Sequence, residues 1–202
     1  MSAPYHHGDL PSALRAAAAE LVAERGTSGF SLRETARRAG VSHAAPAHHF
    51  GDLRGLFTSL AAEGFERLNE AMRDSADIVD ARDRLEALGK AYVRTALEYP
   101  GHFAVIFQPD LIDPENDHCM GVSLGAYGQL VAAIELVRDQ CNPDLDVETA
   151  AITAWAMMQG LVVLSPKFEM MNDLMGTTPR ELDDLITDMT TLMVDGFRAR
   201  PA

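Results

Sequence analysis

The chain has 202 residues, a length that predicts one domain or a small module joined to a larger one. Hydrophobic residues make up 47% of it and charged residues 23%, which excludes a wholly disordered chain, and its two cysteines are too few for a disulfide scaffold or a structural zinc site. The net charge of −13 argues against a protein that binds nucleic acid with its whole surface.

The charge is divided unevenly along the chain. Residues 1–62 contain six arginines, five carboxylates and five of the seven histidines, for a net charge of +1, whereas residues 63–202 carry −14. Because the acidic part would repel a phosphate backbone, only the first 62 residues are suited to approach nucleic acid.

The sequence predicts neither a signal peptide nor a membrane anchor. Its first ten residues lack a basic stretch followed by an apolar run. The longest uncharged stretch, residues 149–166, has 18 residues, but it includes Thr153, Gln159 and Ser165 and many alanines. This composition favours a helix buried within protein over a membrane span. We therefore expect a soluble, cytoplasmic protein.

In chain order, the spacing of apolar residues predicts helices and almost no strand. The first helix has one apolar face that includes Leu14, and Gly26 ends it. Ser31 and Glu34 match a capping box for the second helix, which Gly40 ends. An all-α fold is therefore predicted from the start of the chain.

Ser42 is predicted to cap a short third helix that continues through His49. Residues 31–50 then form two helices joined by a glycine turn, the pattern of a helix-turn-helix motif. The second of these helices is slim because it is mostly alanine, and Ser42, His43 and His48 offer hydrogen-bonding groups to a major groove. An ordinary helical hairpin inside a bundle fits the same pattern.

Further helices bring the predicted total to about nine. Asp52 and Asp146 cap the fourth and eighth, and Thr178 caps the ninth, with Pro179 at its first position and Glu181 as its capping-box partner. The last two helices are so apolar that we expect them to form a four-helix dimer interface with a second copy. The helices after the third are predicted over residues 52–75, 81–99, 102–107, 117–141 and 147–165, with the last beginning after Thr178.

The first third of the chain resembles the DNA-binding domain of the tetracycline-repressor (TetR) family of transcriptional regulators. The resemblance lies in the helix at residues 13–26, in SLRETARRAGVS at residues 31–42, in HHF at residues 48–50, and in Leu56 and Phe57. The fixed spacing between the glycine turn and the HF pair makes this match specific.

Other segments are similar to one subgroup of that family. Its C-terminal ligand-binding domain is called WHG after a Trp, a His and a Gly, whose places are taken here by Trp155, Gln159 and Gly160. The segments that carry the similarity are YHHGDL at residues 5–10, SHAAP at residues 42–46 and EYPGHFAVIF at residues 98–107.

The resemblance implies an all-α regulator with a three-helix helix-turn-helix domain at residues 5–66 and a helical ligand-binding and dimerisation bundle at residues 67–202. It implies a ligand-responsive repressor that binds a palindromic double-stranded operator as a homodimer. Arg37 and Arg38 are expected to be solvated or paired with Glu34, three and four residues away. The implied DNA-binding residues are Ser31, Arg33, Ser42, His43, Ala44, Ala45, His48 and His49.

Two positions depart from the family pattern. The family usually has a Tyr two residues before the His of the HF pair, where this chain has Ala47, and a Lys near the start of the fourth helix, where it has Leu53. Both commonly contact phosphates in the family, so their absence is expected to flatten the salt dependence of binding by about two units of slope. Arg54 is adjacent to Leu53 but points about 100° further around the helix.

The C-terminal region has large and flexible side chains that predict a pocket for an unknown small, mostly apolar effector. A plain hydrophobic core is the alternative for each of these residues. Tyr127 and Gln159 would orient a ligand, and Gln159 in place of the subgroup's His disfavours pH sensing. The candidate pocket residues are Phe103, Ile106, Phe107, Met120, Tyr127, Trp155, Met158 and Gln159.

No other constellation predicts chemistry. His43, His48 and His49 have a spacing that does not stack two ligands on one helical face, so no metal site is predicted. No triad order, phosphate loop or dinucleotide fingerprint occurs, so we expect neither a cofactor nor an enzyme. The alternative function is a helical small-molecule-binding or interaction protein with weak or lost DNA binding, which Ala47 and Leu53 favour.

Overall fold

The computed structural model describes residues 10–198, and this part of the chain is helical without any strand, as predicted. The predicted domain start at residue 5, most of YHHGDL and the last four residues lie outside it. The helices are α1 (Leu10–Arg25), α2 (Leu32–Arg38), α3 (Ala45–Phe50), α4 (Leu53–Met72), α5 (Ala81–Glu98), α6 (Pro100–Ile106), α7 (Asp117–Cys141), α8 (Val147–Leu164), α9 (Phe168–Met175) and α10 (Leu182–Phe197).

Short 3-10 turns complete the helical structure. They cover Arg73–Asp77 after α4, Pro109–Leu111 before α7, and Ser165–Lys167 between α8 and α9. The last turn joins α8 and α9 into one uninterrupted run, Val147–Met175. The described residues form nine uninterrupted runs that contain an α-helix, in agreement with the predicted total.

Three of the predicted caps are confirmed. The Ser31 hydroxyl accepts a hydrogen bond from the Glu34 backbone N–H at 3.3 Å, and Asp52 Oδ1 accepts one from Gly55 at 2.8 Å. Asp146 Oδ1 accepts one from Thr149 at 3.2 Å. Each cap satisfies an N–H group that has no partner within its helix, which explains why these helices begin where the sequence predicts.

The predicted start of α3 is wrong. Ser42 does not cap it; the N-cap is Ala44, which makes no side-chain hydrogen bond, and the Ala45 N–H is bonded to the backbone oxygen of Ser42 at 3.0 Å. The physical reason is Pro46: in a helix begun at His43 it would have to donate the first backbone hydrogen bond to Ser42, which proline cannot do, so α3 begins at Ala45 with Pro46 in its first turn.

The predicted start of the last helix is also wrong. Helix α10 begins at Leu182 after an extended Glu181 that makes no side-chain cap, so Thr178 and Pro179 precede the helix. Asp183 and Asp184 in its first turn place negative charge at the positive end of the helix dipole instead. Helix α9 was not predicted at all; Gly176, with φ of 64°, ends it in the left-handed conformation.

The chain divides into two compact units. Unit 1 consists of the residues up to Arg67 together with Glu98–Ser123, and therefore includes α6 and the start of α7. Its core contains Leu56, Phe57 and Val105, all fully buried. A Cβ atom at Gly101 would lie 2.0 Å from the backbone oxygen of Ala19, so glycine is what allows α6 to approach α1.

Unit 2 consists of Leu68–Leu97 and the chain from Leu124 onward, and so contains α5, most of α7, and α8 to α10. Its fully buried side chains include Leu88, Ile134 and Ile186. Unit 1 thus takes in part of the region that the sequence assigned to the second domain, and the division at residues 66 and 67 stays a prediction.

Two helical segments are long and apolar enough to cross a membrane. They are Asp117–Cys141 and the run Val147–Met175, and only 22% and 28% of their apolar windows are buried within the described part of this single chain. Length and composition alone do not distinguish such segments from the helices of a soluble bundle.

Candidate nucleic-acid interface and ligand site

The turn between α2 and α3 has the hydrogen bonds of a Schellman motif. The Val41 N–H is bonded to the Ala36 oxygen at 3.0 Å and the Gly40 N–H to the Arg37 oxygen at 3.3 Å. Gly40 has a φ of 69°, a left-handed conformation that glycine adopts without a steric penalty. These bonds end α2 and direct the chain into α3.

The predicted DNA-binding residues lie at the surface of unit 1. Seven of the eight are exposed and Ala45 is half-buried. On α3, Pro46 is buried and Phe50 packs against the core cluster of unit 1, so this short helix has one side on the core and one side in solvent. The exposed residues are Ser31, Arg33, Ser42, His43, Ala44, His48 and His49.

Four of the six arginines in the first 62 residues make hydrogen bonds within unit 1. Arg15 Nε is 2.7 Å from Glu63, Arg25 is 2.5 Å from Glu34, and Arg54 Nε donates to the backbone oxygen of Ile112 at 3.2 Å. The fourth is Arg38, described next. Arg15, Arg25 and Arg38 are paired with carboxylates, whereas the exposed Arg54 contacts only a neutral oxygen and keeps its positive charge unpaired.

The expectation that Arg38 is solvated or paired with Glu34 is wrong, although Arg37 meets it. Arg38 bonds Glu24 through both terminal nitrogens, at 2.7 and 2.8 Å, and Glu20 at 3.1 Å. The bidentate hydrogen bond from Arg38 lowers the pKa of Glu24. Glu34 is instead paired with Arg25 at 2.5 Å and with Arg37 at 3.6 Å.

Arg33 and Arg37 are the two remaining arginines. Arg33 is exposed and makes no ion pair with any other residue in 10–198, and the side chain of Arg37 is 71% exposed and 3.6 Å from Glu34. They are four residues apart and therefore share one side of α2. Of these two arginines, the sequence placed only Arg33, together with Ser31, among the DNA-binding residues; the helical spacing of the two arginines was the available signal for Arg37.

The two departures from the family pattern have different surroundings. Ala47 is exposed on α3, whereas Leu53 is half-buried and packs against the core cluster of unit 1. The neighbouring Arg54 is exposed, and its Nε donates to the backbone oxygen of Ile112 at 3.2 Å. A half-buried leucine therefore stands where the family has a lysine that contacts phosphate.

A charged cluster inside unit 1 connects α1, α4 and α6. His102, whose Nε2 lies 3.8 Å from Glu63, together with Arg67 and Arg15 lowers the pKa of Glu63 to about 2. Arg67 also lies over the ring of Tyr99, 4.3 Å from its centroid. The cluster fixes the helices that carry the exposed α2–α3 surface.

The eight candidate ligand residues divide equally between the two units. Phe103 is buried and its ring centroid is 6.5 Å from that of Phe107, in unit 1. The four in unit 1 are Phe103, Ile106, Phe107 and Met120, and the four in unit 2 are Tyr127, Trp155, Met158 and Gln159.

A hydrogen-bonded chain links two of the unit 2 residues to one that the sequence analysis missed. The hydroxyl of Tyr92 donates to Gln159 Oε1 at 2.8 Å and accepts from Trp155 Nε1 at 3.2 Å. Burial raises the pKa of Tyr92 to about 12, so this hydroxyl keeps its proton. The Tyr127 ring centroid lies 6.3 Å from that of Trp155. The only sequence signal for Tyr92 is its place among the apolar residues of α5, and this signal does not indicate a polar role.

Comparison with known proteins gives two family matches. Residues 85–193 match the family described as tetracyclin repressor-like, C-terminal domain, and residues 14–60 match bacterial regulatory proteins, tetR family. An uncharacterised HTH-type transcriptional regulator, YobS of Bacillus subtilis (strain 168), is 30% identical over 87 residues, which are 43% of this chain and 46% of that protein. The chain thus spans about half the length of this relative.

Solved structures share the fold. A protein of unknown function from Rhodococcus sp. RHA1 is 28% identical with a TM-score of 0.76, and the match covers 98% of this chain and 100% of the other. AibR, solved in complex with isovaleryl coenzyme A and operator DNA, is 17% identical with a TM-score of 0.71, over 91% of this chain and 97% of its own. At this identity the AibR match shows a common fold.

Proposed function

This chain belongs to the TetR family of bacterial transcriptional regulators, and we propose that it acts in the cytoplasm as a ligand-responsive repressor. Members of that family bind DNA through an N-terminal helix-turn-helix domain, which here corresponds to α1, α2 and α3. The repressor activity, the homodimer, the operator and the effector are parts of the proposal.

One observation carries the proposal: α3 is exposed, and it follows a well-formed glycine turn. A helix that reads a major groove needs a slim outer side with a few hydrogen-bonding groups. His43, Ala44 and His48 are exposed, and small residues between them permit a close approach of the backbone to the bases. Arg33 and Arg37 add two cations for phosphates.

Exposed apolar side chains support a homodimer through α8 and α10. Ile152, Val163 and Leu164 on α8 and Leu192 on α10 are each more than two-fifths exposed in the single chain. A second copy would bury them in a four-helix interface. Two-fold symmetry then predicts a near-palindromic operator with half-sites about 34–36 Å apart, or a multiple of that distance.

Unit 2 offers the chemistry for a mostly apolar effector with one polar group. Tyr127 and Trp155 supply aromatic surface, and Gln159 accepts from Tyr92 while its amide nitrogen provides further donors. AibR binds an acyl-coenzyme A, a ligand with an apolar chain and polar groups. An effector would change DNA binding only by binding one conformation of the dimer more tightly than the other.

Footprinting on DNA upstream of the protein's own gene tests the proposal. We expect a protected palindrome, weaker binding to a scrambled duplex of equal length, and loss of protection when His43 and His48 are both replaced by alanine. His118→Ala is the matched control, because His118 is an exposed histidine of unit 1 outside α2 and α3. Equal binding to both duplexes, or protection that ignores the double substitution, would favour the alternative of a small-molecule carrier without specific DNA binding.

A further inference from the structure

The proposed DNA-reading surface has few permanent positive charges. Of the six arginines up to residue 62, Arg15, Arg25 and Arg38 are paired with Glu63, Glu34 and Glu24. That leaves Arg33, Arg37, which lies 3.6 Å from Glu34, and the exposed Arg54, whose Nε donates to the neutral backbone oxygen of Ile112. A protein with so few phosphate-neutralising groups needs another source of charge to bind a polyanion tightly.

Three exposed histidines occupy the same surface. His43 precedes α3 and His48 and His49 lie on it, with the ring centroids of the last two 5.4 Å apart. An imidazole side chain is neutral above about pH 6.5 and cationic below it, and a nearby anion favours the cationic form. DNA phosphates would therefore favour proton uptake by an imidazole that they contact.

The carboxylates on the two helices packed against α3 are all paired with arginines. On α1 and α2, Glu20 and Glu24 are bonded to Arg38 and Glu34 to Arg25. These two helices carry the charged side chains Arg15, Glu20, Glu24, Arg25, Arg33, Glu34, Arg37 and Arg38. In the free protein, α1 and α2 thus offer His43 and His48 no free anion.

His49 has different neighbours. It lines a cavity of about 720 Å³ in unit 1 together with the carboxylates of Asp52, Glu63, Glu66 and Asp113 and with Arg15, Arg54 and His118. Because carboxylates of the protein line the same cavity, His49 is left out of the proposal. His43 and His48 do not line the cavity.

We propose that His43 and His48 act as proton-dependent phosphate contacts, so that DNA binding by this chain takes up protons. This inference rests on the proposed DNA-binding function and adds a coupling to pH. Each histidine that gains a proton in the complex steepens the dependence of affinity on pH by up to about one decade per pH unit, by linkage. The complex is accordingly tighter in mild acid.

The test measures the dissociation constant for a labelled duplex that the protein itself has enriched from random-sequence DNA, at constant ionic strength. From about pH 8 to about pH 6 we expect binding to tighten by at least about tenfold. The double substitution His43→Gln/His48→Gln, which keeps hydrogen-bonding groups without a titrating ring, should flatten the profile. His118→Gln should leave it unchanged.

A gain-of-charge variant separates lost charge from lost structure. His43→Lys/His48→Lys carries permanent positive charge, so its affinity at about pH 8 should approach that of the wild type at about pH 6 and vary little with pH. A flat wild-type profile with sequence-specific binding intact would overturn this inference alone, as would a Gln variant that keeps the pH dependence. Absence of sequence-specific binding at every pH would overturn the proposed function itself.

Discussion

The two units differ in where they place their apolar side chains. Of the thirteen large apolar side chains exposed among residues 10–198, twelve belong to unit 2, and Met120 is the exception. Unit 1 instead presents arginines, histidines and ion pairs around a closed core. In a single copy, unit 1 therefore exposes little apolar surface, whereas unit 2 exposes apolar side chains of the kind that mark an interaction site.

The largest effect is expected from a substitution in unit 1 at the close approach of α6 to α1. Gly101→Ala would place a methyl group 2.0 Å from the Ala19 oxygen and force α1 and α6 apart, at a cost of about 3 kcal/mol or more in the free energy of unfolding. Denaturant unfolding measures this cost. Gly121→Ala, where no atom lies within 4 Å, should be close to neutral, and equal stability of the two variants would refute the close approach.

The second-largest effect tests whether a second copy covers the exposed apolar side chains of unit 2. Leu192→Asp should weaken a dimer at least about a hundredfold, because a symmetric interface contains the substitution twice and each lost leucine contact contributes about 1.5 kcal/mol or more. Sedimentation measures the monomer fraction. Val79→Asp, at an exposed position of unit 2 outside α8 and α10, should leave the dimer intact. A protein that is monomeric before any substitution would contradict the interface.

Acid titration probes the charged cluster that stabilises unit 1. The pKa of Glu63 falls from an ordinary 4.5 to about 2, so its carboxylate stabilises the fold above about pH 4.5 and loses this contribution as the pH falls towards 2. Glu63→Gln should therefore destabilise the protein at pH 7 and approach the wild type in strong acid. Thermal unfolding across this range provides the measurement.

Glu66→Gln is the control for that titration. Glu66 is half-exposed and pairs with the exposed His118 at 2.9 Å, and such surface pairs contribute at most about 1 kcal/mol. A Glu66→Gln effect as large as that of Glu63→Gln would show that the cluster around Glu63 has no special role.

The smallest effect tests whether the two exposed arginines of α2 contact DNA phosphates. Arg33→Ala and Arg37→Ala should each reduce the slope of log affinity against log salt by about one unit if each contacts a phosphate. Arg180→Ala, whose guanidinium pairs with Asp188 in unit 2, should leave the slope unchanged. DNA titrations at several salt concentrations measure the slopes, and unchanged slopes for both α2 variants would place the phosphate contacts elsewhere.

Local signals predicted most of the fold, and long-range contacts decided what they missed. The caps at Ser31, Asp52 and Asp146 act within three residues, so they were visible in the sequence and are confirmed. The pairing of Arg38 with Glu24 joins residues 14 apart and depends on how α1 packs against α2, which no local pattern contains.

The candidate site shows the same limit. The glycine turn and the exposure of α3 follow from local sequence and are present in the structure, whereas DNA contact by the eight named residues stays a prediction. Helix α9 went unpredicted because Pro166 precedes it, and a proline after a long apolar run indicates the end of a helix. Tyr92 joined Trp155 and Gln159 only once α5 was packed beside α8.

The discontinuity of unit 1 has a practical consequence for protein engineering. A chimera that borrows only residues up to Arg67 would leave behind α6, and with it Val105 of the core and the glycine that lies against α1. A chimera that joins the DNA-binding unit of this regulator to another sensor domain must therefore include the Glu98–Ser123 segment.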